Sequence, residues 1–187
     1  MQPQIIFAQE IYVDKLDINT DDMIEKCLEI KSLDAGVQKT NVLGWQSKPM
    51  IDGFEDLVEE CISRIQEIIS FRYSIDTQVS LLNFWININE KFSSNSQHIH
   101  PGCVMSAVFY PNFEPDMGNL IFHRDQSELN WYTNMFKIDT KNAFLSDEFI
   151  AKPEKKKLFI FPSWYKHSVE PNMTDSTRIS IAMNFKI

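Results

Sequence analysis

From residue 77 onward the chain repeats every second residue, and that period limits the fold more than any other feature of the sequence. In "VSLLNFWININ", Leu82, Phe84, Ile86 and Ile88 project to one side, and Asn83, Trp85, Asn87 and Asn89 to the other. "VMSAVFYP" sets Ser106, Val108 and Tyr110 against Met105, Ala107 and Phe109. "STRISIAMNF" sets Arg178, Ser180, Ala182 and Asn184 against Ile179, Ile181, Met183 and Phe185. With "GNLIFHRD" and "KKKLFIFP" these make at least five strands. A sheet with one face in water carries varied charged residues there, whereas these second faces carry Asn, Trp, Ser, Tyr and a single Arg. That composition predicts a polar cavity walled by the inner faces of a small barrel or double sheet.

Upstream the period is helical. After a strand-like start, "QIIFAQEIYV", polar Asn19 and Thr20 precede Met23, Ile24, Cys27, Leu28 and Ile30 at helical spacing. Asp52 precedes a second stripe made of Phe54, Leu57, Val58, Cys61, Ile62, Ile65, Ile68 and Ile69. Covering a sheet is sufficient reason for both stripes. The expected organisation is one domain over 1–187, with a supporting strand and helices in 1–76 and the β core in 77–187. Residues 126–147 lack a clear period and read as an insertion, whose Trp131, Tyr132 and Phe136 either pack down or cover a pocket.

Composition narrows the function. A formal charge of −8 argues against a duplex nucleic-acid binder, and Lys155-Lys156-Lys157 reads as a solvated turn. No apolar run approaches the ~20 residues that span a bilayer. Cys27, Cys61 and Cys103 are odd in number and form no CxxC, and no signal peptide is visible. These features predict reduced thiols, a cytoplasmic location, and a metal site, if there is one, built from His, Asp and Glu.

The residues suited to such a site are few. In "QHIHPG", His98 and His100 stand at i and i+2, so on extended backbone both imidazoles project from one side. Neutral imidazole suits iron, zinc, copper or nickel, but the pair alone leaves open a loop with two exposed histidines. Further on, "LFIFPSWYKHSVEPN" places His167 just beyond a buried-type strand, and Arg178 follows eleven residues later in the pattern Arg178-x-Ser180. An arginine facing a cavity needs an anion, and its planar fork matches a carboxylate. The alternatives are an internal Asp or Glu partner, or a strand end in solvent.

Taken in order, "NFWININ", "HIHPGCVMSAVFYP", "GNLIF", "FPSWYKHSVEPN" and "RISIAMNF" resemble the Fe(II)/2-oxoglutarate-dependent dioxygenases. The resemblance is closest to the subgroup of 2OG-Fe(II) oxygenases common in bacterial and phage genomes, and prolyl hydroxylases show a similar order. It covers roughly residues 80 to 187. It implies a mainly β fold, a double-stranded β-helix (jelly roll) with the N-terminal helices packed on one sheet. It implies Fe(II) bound by His98, His100 and His167, with 2-oxoglutarate and O2 as cosubstrates. Arg178 would hold the distal carboxylate of 2-oxoglutarate, with Ser180 and Tyr110 as hydrogen-bond donors and Asn184 a further pocket residue. Asn87 and Trp85 stand next in line.

One departure matters. The superfamily carries a carboxylate at the second ligand position, where this chain has His100. With a carboxylate, Fe(II) and dianionic 2-oxoglutarate would carry one net negative charge; with three neutral histidines they carry none. A carboxylate from elsewhere, Asp116 or Asp125, could instead complete the set. "HRD" at 123–125 is a literal H-x-D, but it follows the Gly118-led strand and leaves too few strands before His167, so His123 is expected at a strand end. The implied reaction is hydroxylation of a small-molecule or protein substrate with release of succinate and carbon dioxide. The rivals are a cupin-like three-histidine dioxygenase that needs no 2-oxoglutarate, and an inactive jelly roll used for binding. The sequence is silent on the substrate and on oligomeric state.

Overall fold

The computed structural model describes residues 2, 4, 8–124 and 146–187. Asp125, Trp131, Tyr132 and Phe136 lie outside the described residues. The strands are β1 (Tyr12–Lys15), β2 (Asn41–Val42), β3 (Trp45–Gln46), β4 (Ser80–Asn89), β5 (Ser94–His98), β6 (Met105–Phe109), β7 (Leu120–His123), β8 (Glu148–Ala151), β9 (Lys157–Pro162), β10 (His167–Val169) and β11 (Arg178–Lys186). The helices are α1 (Asp21–Leu33) and α2 (Glu55–Glu67), the second running on into a π-helical turn, Ile68–Arg72.

The strands form two antiparallel sheets. The large one has the order β1-β9-β6-β11-β4-β3 and the small one β2-β5-β10-β7-β8. This is the expected mainly β jelly roll. The period-two segments of the sequence become β4, β6, β9 and β11 of the large sheet, while "GNLIFHRD" supplies β7 of the small one.

The alternation sorts side chains into two cores. Phe84, Ile86 and Ile88 of β4, Met105, Ala107 and Phe109 of β6, Leu158 and Ile160 of β9, and Ile179, Ile181, Met183 and Phe185 of β11 pack against Met23 and Cys27 of α1 and Leu57, Cys61 and Ile65 of α2. The opposite faces of the same strands supply Val108, Phe159 and Phe161, which with Tyr110 just past β6 meet Leu120, Phe122 and Ala151 of the small sheet. Helices on one side leave the inner face free to build a site.

Local chemistry sets the helix starts. Thr20 stands at the N-cap of α1 without a side-chain cap bond, and Asn19 Oδ1 instead accepts the Asp21 N–H at 3.0 Å. The chain enters α2 through Phe54 in the left-handed region (φ 56°), and the Glu55 carboxylate takes the Gly53 N–H at 2.9 Å. Asp21 and Asp22, and Glu55 and Asp56, place acidic charge on the two first turns, where the helix dipole favours it. No helix among the described residues is long and apolar enough to cross a membrane.

Candidate active site

His98 closes β5 and His167 opens β10, and the two are register partners across that antiparallel pair. Pairing sets their rings 4.3 Å apart, centroid to centroid. His100 lies two residues past β5, where the chain leaves the small sheet for β6, and its N–H donates to the Ser163 carbonyl at 2.9 Å. Its ring stands 5.1 Å from that of His98 and 4.8 Å from that of His167, and packs edge-on to Trp85. One potential ligand atom from each of the three histidines falls within 4.8 Å of the others.

The hydrogen bonds decide which ring nitrogens face inward. His98 Nδ1 donates to the Ser96 carbonyl and His167 Nδ1 to the Tyr165 carbonyl, both at 2.8 Å. A carbonyl only accepts, so each Nδ1 carries the hydrogen and each Nε2 keeps its lone pair. His100 Nδ1 lies 2.7 Å from Ser106 Oγ, and its Nε2 is buried with no hydrogen-bond partner. Burial and mutual proximity disfavour the charged forms. His100 is pushed down to about 4 and His167 to about 3, burial being the largest cause and the neighbouring histidines the next. Burial also lowers His98. Three neutral imidazoles with converging lone pairs fit a metal of the iron or zinc type.

Among the described residues no carboxylate joins this cluster. Asp116 sits exposed in the turn ahead of β7. His123 ends β7, as expected, with Nε2 2.7 Å from Ser168 Oγ and Nδ1 3.3 Å from Glu148. It takes no place in the cluster.

The cavity between the sheets continues from the histidines along β11 and β6. Ser180, Ala182, Tyr110, Asn87, Asn95, Thr40, Leu120 and Val169 share its lining with all three. Arg178 stands on the same face of β11, two positions from Ser180, and is 1% exposed. Its Nη1 donates to the backbone carbonyls of Met117 and Glu170, while Nη2 is buried without a partner. Neither alternative for this arginine holds: it is far from solvent, and no carboxylate among the described residues forms an ion pair with it. Burial lowers the guanidinium to about 10 and raises the Tyr110 phenol to about 12, and each group's charge opposes the other's shift. The guanidinium therefore stays charged near neutral pH. Among the described residues it forms no ion pair, the Glu170 carboxylate acting on it only at longer range, and a carboxylate ligand would offset the cost of its burial.

Gly118 keeps this arrangement open. Its φ is +88°, and a Cβ there would sit inside van der Waals contact with both the Glu170 carbonyl oxygen and Arg178 Nη1. Of the expected pocket residues, Tyr110 and Ser180 line the cavity, while Arg178 and Asn184 lie outside its lining. The Asn184 carboxamide is held between Ser106 and Asn83. Thr40 and Asn95 do line the cavity, although no local pattern in the sequence marks either. They come from a loop and a short polar strand, "SNSQH", that carry no apolar period.

A family model described as "Putative 2OG-Fe(II) oxygenase" matches residues 83–184, more than half of the chain, a range that includes His98, His100, His167, Arg178 and Ser180. No curated protein sequence matches. Among solved structures, a Pseudomonas putida prolyl-4-hydroxylase is 13% identical, with a TM-score of 0.66 over 95% of this chain and 92% of its own. A Trichoplax adhaerens prolyl hydroxylase, in complex with a hypoxia inducible factor oxygen degradation domain peptide fragment, is 10% identical, with a TM-score of 0.63 over 94% and 83%. A viral collagen prolyl hydroxylase from Paramecium Bursaria Chlorella virus-1 is 11% identical, with a TM-score of 0.59 over 95% and 96%. At such identities the likeness is one of fold, and it is the fold expected from the ordered motifs. The family match, the two-sheet architecture and the three-histidine cluster agree, and the chain belongs to the 2OG-Fe(II) oxygenase family, whose members use Fe(II), 2-oxoglutarate and O2.

Proposed function

We propose that His98, His100 and His167 hold Fe(II) through their Nε2 atoms, that Arg178, Ser180 and Tyr110 hold 2-oxoglutarate, and that the enzyme hydroxylates its substrate. The observation that carries this reading is the convergence of three imidazoles whose Nδ1 atoms are all engaged elsewhere. The partnerless Nη2 of Arg178 supports the second half. When bound, Fe(II) and 2-oxoglutarate supply oxidation by O2, with release of succinate and carbon dioxide and transfer of one oxygen atom to the substrate. The protein binds, orients and keeps water out. Arg178 neutralises the distal carboxylate of 2-oxoglutarate, while the Ser180 and Tyr110 hydroxyls donate to it from the same cavity wall. Phe122, Phe161, Leu120 and Val169 line or pack against the site and supply an apolar part of its wall, beside polar Thr40, Asn87 and Asn95.

The test is succinate formation by the anaerobically loaded protein on exposure to O2, even without a substrate. Turnover should require both Fe(II) and 2-oxoglutarate. His167→Ala should abolish it together with metal binding. Ser180→Ala should weaken 2-oxoglutarate binding roughly three- to tenfold, the worth of one neutral hydrogen bond, and leave metal affinity unchanged. Oxygen consumption that proceeds without 2-oxoglutarate would instead support a cupin-like three-histidine dioxygenase.

We also take residues 1–187 to fold as one unit, since a single core cluster runs from Leu16 to Phe185 and β1, β2 and β3 complete the two sheets. The unpaired cysteines, with Cys27 and Cys61 buried and pushed up to about 12, suit a cytoplasmic location. A bacterial or phage source rests on the ordered motif set alone. The substrate is taken as a small molecule or a protein side chain rather than nucleic acid, given the charge of −8.

A further inference from the structure

On the Nδ1 side of His100 a buried chain of polar side chains crosses the large sheet. His100 Nδ1 lies 2.7 Å from Ser106 Oγ, Ser106 Oγ lies 3.0 Å from Asn184 Oδ1, and Asn184 Nδ2 lies 3.2 Å from Asn83 Oδ1. Strand register builds it, because Asn184 of β11 is the cross-strand partner of Ser106 on β6 and of Asn83 on β4. Ser106 is fully buried, and Asn184 is only 8% exposed.

A serine hydroxyl has one hydrogen to give. Asn184 Oδ1 can only accept, so the hydroxyl donates there and turns a lone pair toward His100. His100 Nδ1 must then carry the ring hydrogen, which leaves Nε2 bare. That Nε2 is the buried, partnerless nitrogen of the cluster. His98 and His167 reach the same tautomer through backbone carbonyls, which no substitution removes. Only at His100 do side chains make the choice. A carboxylate at this position would need no such device, since it has no tautomers.

We propose that Ser106 and Asn184 are positioning residues that fix His100 as the Nδ1–H tautomer and so make it competent as a metal ligand. This rests on the reading of His100 as a ligand, and its test separates the two. Asn184→Leu removes the acceptor, so the Ser106 hydrogen turns toward Nδ1 and the ring hydrogen moves to Nε2, where it blocks coordination. Ser106→Ala removes the present partner of Nδ1. Each should lower zinc affinity about 10- to 100-fold, the usual effect of losing an outer hydrogen bond to a ligand. Asn184→Leu should cost at least as much as Ser106→Ala. The double variant should be no worse than the more affected single one, because both act through one chain of bonds.

Nitrogen NMR of the metal-free protein reads the tautomer directly. The wild type should show His100 as Nδ1–H and Asn184→Leu should show it as Nε2–H, with His98 and His167 unchanged in both. A wild-type His100 in the Nε2–H form would overturn the proposal without any variant having to fold. Unchanged zinc affinity in folded Asn184→Leu and Ser106→Ala, with affinity lost in His100→Ala, would overturn the relay alone. Unchanged affinity in His100→Ala would defeat the ligand reading and the relay together.

Discussion

At the scale of residues, the site depends on charge states set by burial. His100 and His167 titrate in the folded protein at about 4 and about 3, against an ordinary 6.5. A histidine held neutral by the fold makes the unfolded state the better proton binder below its ordinary range. The metal-free protein should therefore lose stability as pH falls from 7, by about 1–2 kcal/mol per histidine on reaching pH 5, and continue losing it until the folded values are passed. Urea denaturation in the presence of chelator at several pH values measures this. A flat profile would mean that the three rings are far more hydrated than their burial indicates. These residues were legible in the sequence as types at the right spacing: His98, His100, His167, Arg178 and Ser180. The hydrogen-bond partners of Asn184 were not. Its place on the Arg178 face was correct, but which neighbour its carboxamide meets depends on the register of three strands.

At the scale of elements, the four central strands of the large sheet announced themselves, while its two-residue edge strand β3 and most of the small sheet did not. β4, β6, β9 and β11 bury one face against helices and the other against a second sheet, so their alternation is apolar against neutral polar or aromatic over five or more residues. In the small sheet, β5 reads "SNSQH" and β10 "HSV", and β2 has two residues. Such segments are held by pairing with neighbours rather than by an apolar face of their own, so no local period marks them. The energetic consequence is measurable. Ile181, 1% exposed at the centre of β11 and paired with Phe109 and Ile86, should cost about 2–5 kcal/mol as Ile181→Ala. Phe149→Ala on β8, where the ring is 58% exposed, should stay within about 0.5 kcal/mol. Chemical denaturation of both variants checks the contrast. An Ile181→Ala loss no larger than that of Phe149→Ala would place the stabilising core elsewhere.

At the scale of the molecule, the three histidines form a joint between the sheets. His98 and His167 belong to the small sheet, while His100 is bonded through Ser106 to the large one. A metal bound by all three would tie the two layers together and favour the folded state by mass action. At a hundredfold excess over the dissociation constant the gain is about 2.7 kcal/mol, which for a chain of this size raises the melting temperature by roughly 5–10 °C. Scanning calorimetry with and without Zn(II) measures it, and His100→Ala should lose most of the gain. Equal shifts in wild type and His100→Ala would leave only the small-sheet pair as ligands. The sequence by itself determined the class of fold, the helical cover and the order of the chemical residues, because alternation and spacing are local properties of the chain. Tertiary structure decided the rest: that His98 and His167 pair across β5 and β10, that no described carboxylate completes the cluster, and that Arg178 is buried with no ion pair among the described residues. Each of these depends on which distant strands become neighbours, and burial and hydrogen-bond partners exist only once they have.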